Sequence, residues 1–333
     1  MIFFKLHINC IAVAIIFLFS CQSLAQTQQQ LVWPPPPQKA RIQHLQTISS
    51  LKDIGAEEGF FSKLFNFIFG TESSDRWLEQ PVGIAVSNNQ IIYIADPGAK
   101  CVHILDLKNS NYDFIERADN HTLISPVGIA IDSKGRIFVS DSQLKKVFIF
   151  DNNHKPLSNI NYEFIRPTGL AIKDNKLYVT DSGNHSVIVF DLNGKYISSF
   201  GKRGSGTSEF NYPVHLTASN SIFVVDAMNH RIQAFDNDGS YRFSFGRVGN
   251  LAGHFAHPKS IATDSDGNVY VTDALMDNFQ IFNNRGDLLL VVGSKGIEKG
   301  EFMSPSGIAI DRQDNIYLVD SLNKRIQIFK YLK

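Results

Sequence analysis

The residues of this chain that could do chemistry fall into two sets. One is small and irregular: His215, Thr217, Ser260 and His257. The other is regular: Asp96, Asp141, Asp181, Asp226, Asp273 and Asp320 recur at intervals of 45, 40, 45, 47 and 47 residues. Imidazoles and hydroxyls gathered at one point could ligate a divalent cation, activate water or hydrogen-bond a polar ligand. Carboxylates could hold a metal or accept backbone N–H bonds. The three cysteines, Cys10, Cys21 and Cys101, supply neither a disulfide framework nor a thiolate zinc site. Cys101 opens an apolar run and reads as a half-buried free thiol.

The spacing of the aspartates shows what must position these groups. Each aspartate ends an apolar strand ("IIYIAD", "RIFVSD", "KLYVTD", "SIFVVD", "NVYVTD", "NIYLVD"), and a proline-led strand precedes each ("PVGIAV", "PVGIAI", "PTGLAI", "PVHLTA", "PKSIAT", "PSGIAI"). A third apolar strand follows each aspartate, and weaker fourth strands such as "YISSFG" and "YRFSFG" separate the copies. Four short strands in 40–47 residues are the size of one propeller blade, and apolar character on both faces suits a sheet held between two neighbours. The expected fold is all-β, a six-bladed propeller with four-stranded blades. The small pairs Gly83/Ala85, Gly128/Ala130, Gly169/Ala171 and Gly307/Ala309 suit inner strands that converge on an axis. The last copy stops at "RIQIFKYLK", so residues 40–48, "ARIQHLQTI", are expected to complete the final blade and remove its open edge.

The recurring "P.GIA…IYV.D…N.RIQ.F" pattern resembles the NHL repeat over residues 75–330. That resemblance implies a propeller which hosts binding proteins, scaffolds and several enzymes. Peptidyl-hydroxyglycine lyases are similar in fold and place zinc-binding histidines after blade prolines, a context that "PVHLTA" fits once. The equivalent positions are Gly83, Gly128, Gly169, Ser260 and Gly307, none of which offers a second imidazole, and zinc catalysis needs three protein ligands. Six-bladed lactonases are similar in outline and use carboxylates and an asparagine on calcium, but no inner strand here carries Asp or Glu. Neither a metal nor a cofactor is expected. His215 reads as a hydrogen-bonded packing residue or a contact to a small polar ligand. With Thr217, Ser260 and His257 it forms a candidate axial pocket.

The repeated aspartates read as structural, accepting turn N–H bonds or pairing with Arg231 and Arg325. The glycine-rich segments "GKRGSGTSEFNYP", "GRVGNLAGHFAHP" and "GSKGIEKGEFMSP" lead into strands rather than helices, so they are inter-blade connections and not phosphate loops. Their Phe210, Phe255 and Phe302 are expected to fill gaps between blades. Residues 57–70, "EEGFFSKLFNFIFG", predict a short helix. Phe60, Leu64, Phe67 and Ile68 share one face, and Phe61 and Phe65 lie on a second apolar stripe. Such a helix would dock on the propeller, on a membrane or on a partner.

Residues 1–25 predict an export signal, with Lys5 before a short apolar run. Its ending is open between a lipobox, "LFSC", that would lipidate Cys21, and cleavage after "SLA". A Gln/Pro-rich linker is expected over residues 26–39, with the propeller over 40–333. Lys+Arg and Asp+Glu are both 32, which argues against nucleic acid as a partner. The expected protein is an exported, monomeric, non-catalytic binding or scaffold module in the periplasm or at the outer membrane of a bacterium. A protein is its first expected partner and an envelope carbohydrate its second. A lyase or lactonase with a metal-centred axial site is the alternative.

Overall fold

Each proline-led strand pairs antiparallel with the aspartate-ended strand that follows it, that strand pairs with the third, and the third with the fourth where the copy has one. The computed structural model describes residues 30–55 and 77–333. In blade one the strands are Gly83–Val86, Ile91–Asp96, Cys101–Asp106 and Asn111–Ile115, in spatial order. The inner strands of blades two to six are Pro126–Ile131, Pro167–Lys173, Pro213–Ala218, Pro258–Thr263 and Pro305–Ile310. A two-stranded ribbon, Arg117–Ala118 with His121–Thr122, connects blades one and two. The expected six-bladed, all-β propeller is the observed fold.

Ile42–Ile48 closes the ring. It pairs antiparallel with the last strand, Arg325–Tyr331, from Ile42 opposite Tyr331 to Ile48 opposite Ile326. One boundary needs correction. Inside the linker expected over 26–39, Val32–Trp33 pairs with Ile42–Ile48 as a fifth strand of the sixth sheet. The reason is local: Leu31-Val32-Trp33 is apolar between polar glutamines and prolines, and the Trp33 ring packs edge-on to Phe329 with centroids 5.7 Å apart. The export signal with Cys21 and the helix expected over 57–70 lie outside the described residues.

The core explains why these strands are apolar on both faces. Among the described residues it divides into six clusters, each shared by two neighbouring blades. Val139 and Phe148 of blade two, for example, pack with Tyr93 and Val102 of blade one, whereas Phe138 and Ile149 pack with Leu170 and Phe190 of blade three. Alternate residues of one strand therefore fill different interfaces.

Candidate functional site

At the hub the inner strands approach backbone to backbone. A Cβ at Gly128 would lie 2.0 Å from the Thr168 carbonyl oxygen of blade three. At Gly169 it would lie 2.6 Å from the Cα of His215. The glycines thus face the neighbouring inner strand, and the hub is closed by contact between blades.

Polar side chains stitch this contact. In blade two the Ser140 hydroxyl accepts from Gly128 N–H at 2.8 Å and donates to the Thr168 carbonyl of blade three at 2.5 Å. Thr272 does the same in blade five, accepting from Ser260 N–H and donating to the Ser306 carbonyl at 2.6 Å. Blade four has Val225 at that position and cannot relay in this way. There His215 forms the link instead: its Nδ1 accepts the Ile261 N–H of blade five at 3.4 Å. Burial pushes the imidazole down to about 4, so the ring is neutral with its proton on Nε2. Ser260 repeats the device one blade on, its Oγ accepting the Ile308 N–H at 3.3 Å.

Of the candidate axial residues, His215 and Ser260 meet at the hub, the His215 ring reaching the peptide N–H that directly follows Ser260. His215 and Ser260 each bridge to the next blade. Thr217 lies further along its strand, opposite Phe223, and His257 stands at the start of the fifth inner strand. Among the described residues no group of three or more His, Cys, Asp or Glu side chains could hold a metal ion.

The repeated aspartates clamp each blade at the end where its inner strand begins. Asp181 accepts from Ile165 and Arg166 N–H at 2.8 and 2.7 Å, ahead of the proline, and from Asn184 N–H in the following turn. Asp141 and Asp273 make the same double clamp. In blades four and six the aspartate also pairs with arginine. Arg231 Nε is 2.8 Å from Asp226 and Arg325 Nε is 2.7 Å from Asp320. The remaining guanidinium nitrogens reach loop carbonyls: Gly206 and Glu209 for Arg231, and Ile297, Glu298 and Glu301 for Arg325. The glycine-rich connections are thus held rigidly. Phe210, Phe255 and Phe302 are fully buried, each over a left-handed glycine, Gly201, Gly246 and Gly293, where a Cβ would strike the ring.

Blade one departs from the repeat. Cys101, expected to be half-buried, is fully buried because it begins the third strand beneath the Asp96 turn. Its Sγ lies 3.5 Å from Nε2 of His103, which is 3.4 Å from Asp96, and Nδ1 of His103 is 2.9 Å from the Tyr112 hydroxyl. His103 takes the place that Gln233 and Gln327 hold beside Asp226 and Asp320. His103 is fully buried there.

The features overlooked in the sequence lie at the end where the prolines sit. Second-to-third-strand turns and inter-blade connections meet there, as the bonds from Met228 N–H to the Asn211 carbonyl and from Leu322 N–H to the Met303 carbonyl show. Met228, Leu275 and Leu322 at the turn tips are 52%, 69% and 66% exposed, and Val248, Leu251 and Ile297 on the connections are also exposed. At the same end Arg166, Tyr212 and His257 precede the prolines of blades three, four and five. Aligning the residue before each proline would have revealed Arg166, Tyr212 and His257 from the sequence.

The model of a family described as a 6-bladed beta-propeller matches residues 161–242 and 261–331. Among solved structures, a gluconolactonase from Xanthomonas campestris is 14% identical with a TM-score of 0.61, the match covering 77% of this chain and 87% of that one. An auxiliary nutrient binding protein from Bacteroides thetaiotaomicron is 13% identical with a TM-score of 0.61, covering 77% and 70%. A virginiamycin B lyase from Staphylococcus aureus is 15% identical with a TM-score of 0.54, covering 76% and 95%. These similarities support the six-bladed propeller class to which the NHL resemblance pointed, though not the NHL repeat by name. At such identities they show a shared fold, and the fold serves enzymes and binding proteins alike.

Proposed function

We propose that this chain is a non-catalytic binding module that recognises its partner with the proline-side end of the propeller. The observation that carries the reading is the arc of exposed aliphatic side chains across blades four to six on that end, Met228, Leu275 and Leu322 foremost. Exposed apolar side chains grouped on one face of a soluble fold mark interaction surfaces. The Asp–Arg clamps hold the connections in place before binding, which lowers the ordering cost of association. The polar hub residues are engaged in holding blades together, which favours binding over an axial catalytic centre. The partner class is a protein first and an envelope carbohydrate second. The module is exported, and Cys21 is the residue that would carry a lipid anchor.

The test is a triple variant, Met228→Glu, Leu275→Glu and Leu322→Glu, compared with Lys173→Glu and Asn175→Glu at the opposite end. Expected is an unchanged Tm for all variants and loss of the co-purifying envelope partner for the triple variant alone. Equal retention by both sets would contradict the reading. Metabolic labelling with palmitate, abolished by Cys21→Ala, checks the anchor; an unlabelled chain cleaved after Ala25 would point to the free secreted form.

A further inference from the structure

Blade five departs from blades four and six at one point. The register that sets Arg231 opposite Asp226 and Arg325 opposite Asp320 sets Asn278 opposite Asp273. In blades four and six the aspartate Oδ2 accepts from the arginine, from an asparagine of the same turn (Asn229 or Asn323) and from a glutamine (Gln233 or Gln327). Blade five has Met276 at the asparagine's place. Its Gln280 bonds Gly253 N–H and the His254 carbonyl, with no bond to Asp273 among the described residues. Lys259 feels the Asp273 charge, but among the described residues it forms no ion pair with it.

The backbone around Asn278 repeats that of the other two blades. Its connection closes on the same parallel bridge, Val248 to Phe255, as Arg203 to Phe210 and Lys295 to Phe302. Gln280 holds this connection as Gln233 and Gln327 hold theirs, through one loop N–H and one loop carbonyl. In blades four and six that carbonyl, Glu209 or Glu301, also accepts from the guanidinium, as does Gly206 or Glu298. Leu251 and His254 stand at these places in blade five, and no arginine serves them. Asn278 is only 6% exposed, and its Oδ1 has no hydrogen-bond partner.

A second orphan follows from the same difference. In blade four the residue before the proline, Tyr212, donates its N–H to His185 in the turn of the preceding blade; in blade six Ser304 donates to Asp277 in the same way. His257 is the counterpart in blade five, and His230 is the matching turn residue. Yet the His257 N–H is shared by the two Asp273 oxygens, at 2.9 and 3.0 Å. His230 Nδ1 is left buried without a partner. Of the three such buried side-chain atoms among the described residues, two therefore trace to the guanidinium that blade five lacks. Each is costly to leave unpaired.

We propose that blade five binds a metal cation where blades four and six hold a guanidinium. Its ligands are the Asp273 carboxylate, Asn278 Oδ1 and the carbonyls of Leu251 and His254. An all-oxygen set suits a hard ion such as Na⁺, K⁺ or Ca²⁺. A lone carboxylate matches the single charge of the guanidinium, which favours an alkali ion. The ion draws Asp273 as the arginines draw Asp226 and Asp320. Ala256 N–H then keeps its bond to the carboxylate, as Asn211 and Met303 N–H do, and His257 N–H turns to His230 Nδ1. The ion thus pins the third glycine-rich connection, which carries the exposed Leu251, as the arginines pin the other two. This site does not depend on which partner the propeller binds.

Thermal unfolding of the full chain tests it in sodium, potassium or calcium chloride, each against N-methyl-D-glucamine chloride at equal ionic strength. At least one metal ion is expected to raise the Tm by about 2 °C or more, with saturation in the millimolar range, and the salt that does so identifies the ion. Asn278→Leu should abolish that rise. Asn278→Arg should abolish it too, while raising the metal-free Tm, because the side chain itself supplies the charge. Asp238→Asn, on an exposed turn of blade four, should leave the rise intact. In NMR spectra the same ion should shift the His257 amide and the His230 imidazole together. Absence of a response to all three metals, or a response that survives Asn278→Leu, would overturn the site.

Discussion

A methyl group at Gly83 would sit 1.9 Å from the Val127 carbonyl oxygen, inside any permitted contact. Because that oxygen belongs to the backbone of the next blade, no rotamer change relieves it. Gly83→Ala is therefore expected to cost about 3 kcal/mol or more in urea unfolding, at the upper end of overpacking effects. His215 makes a different prediction. Its folded imidazole stays neutral down to about 4, whereas the unfolded chain takes up a proton near 6.5. Below 6.5 the unfolded state binds more protons, so stability falls with pH between 6.5 and 4, by about 3 kcal/mol from this residue. His44, also lowered to about 4 by burial and by Lys299 and Arg325, adds to the same slope. His215→Gln should therefore reduce, without abolishing, the stability lost between pH 7 and pH 4.5; an unchanged slope would mean that the ring is already solvated. At this scale the sequence was half legible. His215 stands out because it breaks a repeated column, but its acceptor role depends on a backbone N–H in another blade, which leaves no trace in side-chain pattern.

At the scale of elements, the closing strand and the aspartate clamps carry the account. Removing residues up to 48 would leave the Arg325–Tyr331 edge unpaired and expose Ile326 and Ile328. Such a truncation is expected to lower the Tm by about 10 °C or more and to produce aggregates in size-exclusion chromatography. Asp320→Ala would strand a buried Arg325, together with the Met303 N–H and the Asn323 and Gln327 amides. Breaking a buried pair from one side costs about 3 kcal/mol. Asp320→Ala,Arg325→Met should recover part of that loss in thermal unfolding, which a purely local cap would not. The strands were legible because proline, aspartate and an apolar run recur in each copy at nearly constant spacing. The fifth strand of blade six was not: Val32–Trp33 is only two residues long, and its pairing depends on the Phe329 surface at the far end of the chain.

For the whole molecule, the two ends of the ring differ in character. The proline-side end bears exposed aliphatic tips on blades four to six, and two of its connections are pinned by arginines. Short hairpins such as that at Asp174–Asn175 form the other end. The six-fold repetition explains why the fold is plain from the sequence, and also why the end is harder to read. Repetition marks what holds blades together, whereas recognition resides in the residues that differ from copy to copy. The most direct measurement places a photocrosslinking residue at Leu275 in one chain and at Asn175 in another, each produced in cells with its N-terminal segment intact. A discrete adduct from position 275 and none from 175 is the predicted result. An adduct from 175 alone, or none from either, would contradict recognition by the proline-side end.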